Sequence, residues 1–456
     1  MKEKFISIVL IYLVWGQSVF GQGIDNDLKL LINQAFNNSH QLKINTYKTA
    51  QVQINRTMAR QTFLPRISNS ASYTRLNDNI AFPQDTKILL QGTQRILIKE
   101  ALSLPFNATL PPQVNLKPVP IIQSQDIFKI TSGTQWVLFS GFKAAMSAKA
   151  TQHQEKVLNF LSQIEKINIA KDIWETYDKL ALVNSYEQVI KATDNYLLEQ
   201  LRFVEEAIKN GLATPLDREK INLARQKLTL KKIEIQGNKE LLIDKLSMVT
   251  LQEKTSLALL NPIIAPLFFI DTITVERPEL KALRENIQAI ELKRKIELTE
   301  YIPKLAAFGQ YEWRKQNLSL FEPRWLAGVR FQWTMFDGLT AKNEARKTAI
   351  EKNILLEQKK DAEEKISLAV SKAEVDERTA KQKMITAKQS AALAERIKLL
   401  TEKQFKNGLT AIRELLDAVA EQEKAQQDSL TAIFEQRRAA AALLEAKGRL
   451  LIFLQL

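Results

Sequence analysis

The sequence predicts a mainly α-helical fold with a membrane β-barrel, built from one unit that occurs twice: a strand pair followed by a long helical hairpin. Three observations predict it. Trp136-Val137-Leu138-Phe139-Ser140-Gly141 returns 197 residues later as Trp333-Thr334-Met335-Phe336-Asp337-Gly338. The same offset carries Asn210-Gly211-Leu212 onto Asn407-Gly408-Leu409, so 70 residues separate the two glycines in both copies. Upstream, Phe63-Leu64-Pro65-Arg66-Ile67 matches Tyr301-Ile302-Pro303-Lys304-Leu305 at an offset of 238, which leaves 41 extra residues in the first copy between Pro65 and Trp136. Repetition at this level sets the order of elements before any local assignment.

The N-terminus has a basic start, an apolar stretch from Phe5 to Trp15, and small residues near Gly21. That pattern is a secretory signal peptide over 1–21, with cleavage before Gln22. From Asp25 to Thr62 the spacing of Leu28, Leu31, Ile32 and Ala35 predicts helix. In the second copy, Arg277-Pro278-Glu279-Leu280 opens a helix, with Pro in its first turn and an acid beside it. Pro65 and Pro303 end these helices, because the residue before a proline is pushed to extended geometry.

After each proline the residues alternate. Trp325, Ala327, Val329, Phe331, Trp333 and Met335 share one face; Leu326, Gly328, Arg330, Gln332 and Thr334 share the other. A soluble sandwich strand also alternates. Strands of about ten residues with Trp and Tyr near their ends favour a lipid-facing barrel strand. The first copy's strands, Arg66 to Leu76 and Phe128 to Phe139, alternate less cleanly, and the chain between them, 77–126, holds six of the 13 prolines. It is expected to be a long loop with a short helix near Gln94 to Leu102. The matching loop around Gln316 to Pro323 is short.

From Gly141 to Asn210, and from Gly338 to Asn407, there is no proline and no internal glycine. Seventy helical residues reach about 105 Å, and only a turn separates each long helix from its return arm. The expected organisation is therefore signal peptide (1–21), N-terminal helical segment (22–62), first strand pair with its Pro-rich loop (63–140), first long hairpin (141–257), linker (258–276), helix of the second repeat (277–300), second strand pair (301–337) and second long hairpin (338–456).

Composition excludes several functions. The charged content of 25% rules out a polytopic helical membrane protein, and the absence of cysteine rules out disulfides and an acylated N-terminal Cys. The net charge of +14 is spread along helices and interleaved with Glu and Asp, as on solvated faces, so no nucleic-acid partner is expected. Two histidines without cysteine leave little for a zinc site. No phosphate loop or nucleophile elbow is present, so no enzyme activity, cofactor or metal is expected.

Four strands from one chain cannot close a barrel, and open edges are not tolerated in lipid. Three copies supply 12 strands, a reasonable membrane barrel. At this point the chain resembles the TolC-like outer-membrane efflux protein family (outer membrane factor). The resemblance rests on the opening at Arg277, both Pro-strand entries, both Trp-x-x-Phe-x-Gly segments, and the turns Asn210 to Asp217 and Asn407 to Asp417. It implies a homotrimer with a 12-stranded β-barrel in the outer membrane, continued by a long α-helical barrel in the periplasm. It further implies a passive exit duct for efflux or type I secretion, docked by a periplasmic adaptor protein linked to an inner-membrane pump.

The resemblance also assigns roles. The turns Gly211, Leu212, Ala213, Thr214 and Gly408, Leu409, Thr410, Ala411 match the family's adaptor-docking tip; ordinary turn chemistry is the simpler reason for the glycines. Glu414 and Asp417, three apart on one helix face, match a gate that narrows the entrance and favours cations, with Asp217 the first-copy counterpart of Glu414. Solvated surface carboxylates are the alternative. The family often places a basic residue where Ala411 stands, so that latch is absent here, with Arg413 or Arg218 as substitutes. A periplasmic coiled-coil adaptor or scaffold is the alternative function; it predicts solubility without detergent and no lipid-facing strand pairs.

Overall fold

The computed structural model describes residues 25–269, 274–314 and 323–456. The signal peptide and most of the short loop around Gln316 to Pro323 lie outside the described residues. The chain divides into two compact units: Met1–Val52, His153–Gln288 and Lys352–Leu456 form one, Gln53–Gln152 and Ala289–Glu351 the other.

Helix α1 (Asn26–Asn38) is capped by Asp25, whose side chain accepts from the Asp27 amide, and it buries the expected Leu28, Leu31, Ile32 and Ala35. The sequence suggests one helix to Thr62, but the structure breaks it at Ser39. The Ser39 hydroxyl accepts from the Leu42 amide at 3.3 Å, which makes it the N-cap of α2 (His40–Gln61). The start of α2 lies at the 238-residue offset from Pro278, so α1 is an addition to the first copy.

In the sheet-bearing unit, β1 (Arg66–Arg75), β2 (Asp126–Phe139), β3 (Lys304–Glu312) and β4 (Trp325–Gln332) form one antiparallel sheet in chain order. The central pairing, β2 with β3, joins the two copies of the repeat. The sheet is open, with β1 and β4 at its edges, so a closed barrel is not a property of the single chain. The strand β4 stops at Gln332, short of Met335. The loop helix α3 (Gln84–Ala101) is twice the expected length, because it starts directly after Pro83 and meets no further proline before Pro105.

The register sorts the sheet into two faces. Tyr73 pairs with Phe128, Trp136 with Ala307, Ala307 with Val329, and Tyr311 with Trp325 on one face. Ser70 pairs with Thr131, Gln135 with Phe308, and Ala306 with Arg330 on the other. Aromatic rings stand toward both ends of the first face, as Trp136 and Phe331 at one end and Trp313, Trp325 and Tyr73 at the opposite one, all at least half-exposed or nearly so.

The repeat explains its own motif here. The Trp136 indole donates to the Phe63 carbonyl at 2.7 Å, and the Trp333 indole to the Tyr301 carbonyl at 3.1 Å. Each conserved-in-repeat Trp thus ties the end of a strand pair to the residue two before the proline. Both copies then leave the sheet through two successive left-handed residues, Gly141 and Phe142 (φ 63° and 67°) or Gly338 and Leu339 (φ 69° and 66°).

The long helices α4 (Lys143–Lys209) and α8 (Thr340–Lys406) have 67 residues each. Among the described helices none is long and apolar enough to cross a membrane. Their return arms are α5 (Pro215–Thr250) and α9 (Ile412–Ala446). The first return arm ends at Thr250, earlier than expected, where Leu251 turns left-handed and a short α6 (Lys254–Ala258) follows. Helix α7 (Pro278–Leu298) opens the second copy, and α10 (Leu450–Leu454) closes the chain.

In the helical unit the core gathers Leu28, Trp174, Tyr177, Leu246, Leu257 and Leu444, with Phe453 stacked on Trp174. The described linker residues 259–269 form no helix or strand, so their buried backbone groups need side-chain partners. Asn184 donates to Pro262 O, Ser185 accepts from the Ile264 amide, Arg437 donates to Ala265 O, and Gln436 pairs with both the N–H and the C=O of Leu267.

Candidate functional site

The two helix-hairpin turns and the first two turns of α5 and α9 hold every site residue that the sequence singles out. Both long helices end alike. The Gly211 amide donates to Ile208 O and the Leu212 amide to Ala207 O; Gly408 donates to Phe405 O and Leu409 to Gln404 O. This double bond pattern is a Schellman cap, which needs a left-handed residue at the glycine. Gly211 and Gly408 have φ of 71° and 72° with open space where a Cβ would stand, so backbone conformation alone requires glycine there.

After each cap a leucine is presented to solvent, Leu212 at 82% and Leu409 at 76% exposure. Ala213 instead packs against a buried cluster that joins both turns. That cluster takes Leu197 and Val204 from α4, Ile221 and Leu228 from α5, and Ile412 and Leu415 from α9. Phe203 meets Phe405 edge-on with ring centres 6.0 Å apart. The two turns, 197 residues apart in sequence, are therefore neighbours.

The carboxylates divide into two kinds. Asp217 accepts from the Thr214 hydroxyl at 2.7 Å and the Thr214 amide at 3.1 Å, the returning half of a capping box. Lys220 stands 3.4 Å away. Partial burial pushes the Asp217 carboxyl up, but the Thr214 hydrogen bonds and Lys220 outweigh it and hold the group below the usual carboxylate range. At the second turn the cap position is Ala411, which has no side-chain acceptor or donor, and Thr410 precedes it.

Glu414 is consequently left exposed in the first turn of α9, without a hydrogen-bond partner among the described residues. Asp417 lies 3.8 Å from Arg413, both more than 70% exposed, a surface pair that contributes little to stability. Arg218 pairs with Glu219 rather than with any of the three carboxylates.

Sequence inspection misses the charged groups that bind the helices to one another. Glu423 is buried at 4% exposure, accepts from Lys231 at 2.7 Å and from Gln427 at 2.8 Å, and so links α9 to α5. Arg225 pairs with Asp194 at 2.8 Å between α5 and α4. Lys398 stands 3.6 Å from the Tyr196 ring centre, beside Glu402. Nothing in a helix of alternating charge marks which members find partners on another helix.

Residues 269–449 match the model of the family described as outer membrane efflux protein. No curated protein matches the chain at the sequence level. Among solved structures, the outer membrane protein VceC from Vibrio cholerae aligns over 93% of this chain and 96% of its own, with 14% identity and a TM-score of 0.69. The CmeC outer membrane channel from Campylobacter jejuni aligns over 93% and 86%, with 15% identity and a TM-score of 0.69. The open state of the MtrE outer membrane channel from Neisseria gonorrhoeae aligns over 93% and 89%, with 12% identity and a TM-score of 0.66. Residues 269–449 are thus similar to the outer membrane efflux protein family, and the chain shares the fold of these outer membrane channels.

Proposed function

We propose that the protein is the outer-membrane exit duct of a tripartite efflux or type I secretion system, acting by passive transport. The observation that carries this assignment is the two-faced open sheet. One face is mainly apolar with aromatic rings toward both ends, its Asn69 and Ser132 hydrogen-bonded to each other, as suits lipid; the other carries Arg, Lys, Ser and Gln, as suits a water-filled lumen. Because edges cannot stay open in lipid, the four strands are completed by other copies, and three copies make a 12-stranded barrel continued by a helical barrel in the periplasm.

The helices support self-association. Leu216, Leu223 and Leu230 on α5 recur every seven residues, followed by Leu241 and Met248, all between 59% and 72% exposed. On α8, Leu368 and Val375, then Leu393 and Leu400, repeat the same spacing and are also exposed. Such stripes are coiled-coil seams awaiting a partner helix. Two different stripes on one chain suit a head-to-tail ring, which closes at three copies in this proposal.

The exposed Leu212 and Leu409 and the adjoining turn residues form the adaptor-docking tip, through which the duct meets an inner-membrane pump. Glu414 and Asp417 form the periplasmic acidic gate; Asp217, held in its cap, contributes charge near it. A soluble periplasmic scaffold is disfavoured, since it would leave the aromatic-ended sheet face in water. The test is single-channel conductance of the detergent-extracted protein in a planar bilayer. A steady pore is expected, and E414A/D417A should reduce its cation preference. Unchanged selectivity would discard the gate, and a soluble protein that never enters the bilayer would discard the duct.

A further inference from the structure

Resting on the assignment of the sheet to a barrel wall, we infer that the barrel section of the duct favours anions and passes most readily solutes of net negative charge. The lumen-side face carries four cations, Arg66, Lys129, Lys304 and Arg330, against one acid, Glu312. Two of the four are neutralised locally. Lys129 lies 3.9 Å from Glu312, and Lys304 lies 2.8 Å from both Glu300 oxygens. Arg66 and Arg330 are exposed and have no carboxylate partner among the described residues.

The register places these two arginines at the same end of the sheet. Arg66 pairs with Gln135, Gln135 with Phe308, and Phe308 with Gly328; Arg330 is the next residue along β4 on that face. Their lumen-side neighbours on the strands are Ser68, Gly133, Gln135, Ala306, Val137 and Gln332, with the Lys304–Glu300 ion pair beyond Ala306. Arg330 is also held. A Cβ on Gly328 would stand 2.8 Å from the tip of the Phe308 ring, so the ring fills the place of the missing side chain. The Arg330 guanidinium lies 5.5 Å from the centre of that ring, a cation–π contact that fixes a charge facing the lumen.

Threefold repetition sets Arg66 and Arg330 in a ring of guanidinium groups. Rings of Arg or Lys select anions as rings of Asp or Glu select cations. The proposed duct then holds two filters of opposite sign, carboxylates at the helical tip and guanidiniums in the barrel. A solute crossing both meets the barrel as the anion-favouring section.

The experiment measures reversal potential in a potassium chloride gradient, with E414A/D417A as background so that the tip does not mask the barrel. The background pore is expected to prefer chloride, and adding R66S/R330Q should lower the chloride-to-potassium permeability ratio by about twofold or more. A conducting pore whose reversal potential does not move overturns the inference and leaves the duct standing. If R66S/R330Q fails to assemble, citrate added to the barrel-mouth side of the unsubstituted pore decides. Citrate at millimolar level should reduce the current, and no reduction overturns the inference. Absence of conductance from every form, the unsubstituted one included, overturns the duct itself.

Discussion

At the scale of single residues, two copies of one turn have been put to different chemical use. Asp217 and Glu414 are equivalent in the repeat, yet the residue three before each differs, Thr214 in one and Ala411 in the other. Thr214 draws Asp217 into a cap; Ala411 leaves Glu414 free. Replacing Asp217 with Ala should cost about 1 kcal/mol of local stability, the ordinary worth of a helix cap, while Glu414→Ala should cost less. Amide hydrogen exchange in the first turn of α5 is the check, and equal effects would refute the distinction. The pH sign follows from the depressed carboxyl. The unfolded group titrates near about 3.9, so the cap is complete above that value and is lost as pH falls through the lower folded value. Protection of the α5 first turn should therefore weaken only at strongly acidic pH.

Elements are decided by what their backbone groups find. Ser39 supplies a hydroxyl for the Leu42 amide and so splits an otherwise continuous helical pattern in two. The linker residues from Pro262 to Leu267, which form no ladder of their own, find partners in Gln436, Arg437, Asn184 and Ser185. Gln436 is wholly buried, and Gln436→Ala would leave both polar groups of Leu267 unpaired. The expected cost is about 2 kcal/mol, within the range for buried unsatisfied groups, read by denaturant unfolding together with faster exchange of the Leu267 amide. A Gln436→Glu comparison would keep one acceptor and lose the donor, and should be destabilising as well. If Gln436→Ala is neutral, the linker is held by its apolar contacts through Ile264 and Leu267 instead.

For the whole molecule, the unburied apolar stripes are the feature that a single copy leaves unresolved. Placing charge on the seam, as in L223E/L230E, should yield monomers in detergent by light scattering while helical circular dichroism stays unchanged. A persistent trimer would move the contact elsewhere. Much of the design was legible in the sequence, because its signals are local: prolines that end helices, glycines that must be left-handed at Gly211 and Gly408, period-two alternation in the strands, and an ordered duplication that relates them. The 67-residue helices and their turns follow from those rules alone. Tertiary structure decided the rest. It paired β2 with β3 across the repeat, buried Glu423 against Lys231, and seated Phe308 over Gly328 beneath Arg330. It also brought the two turns into one cluster. Each of these depends on which distant or adjoining side chain is at hand, and partner choice at long range leaves no periodic trace in a chain of alternating charges.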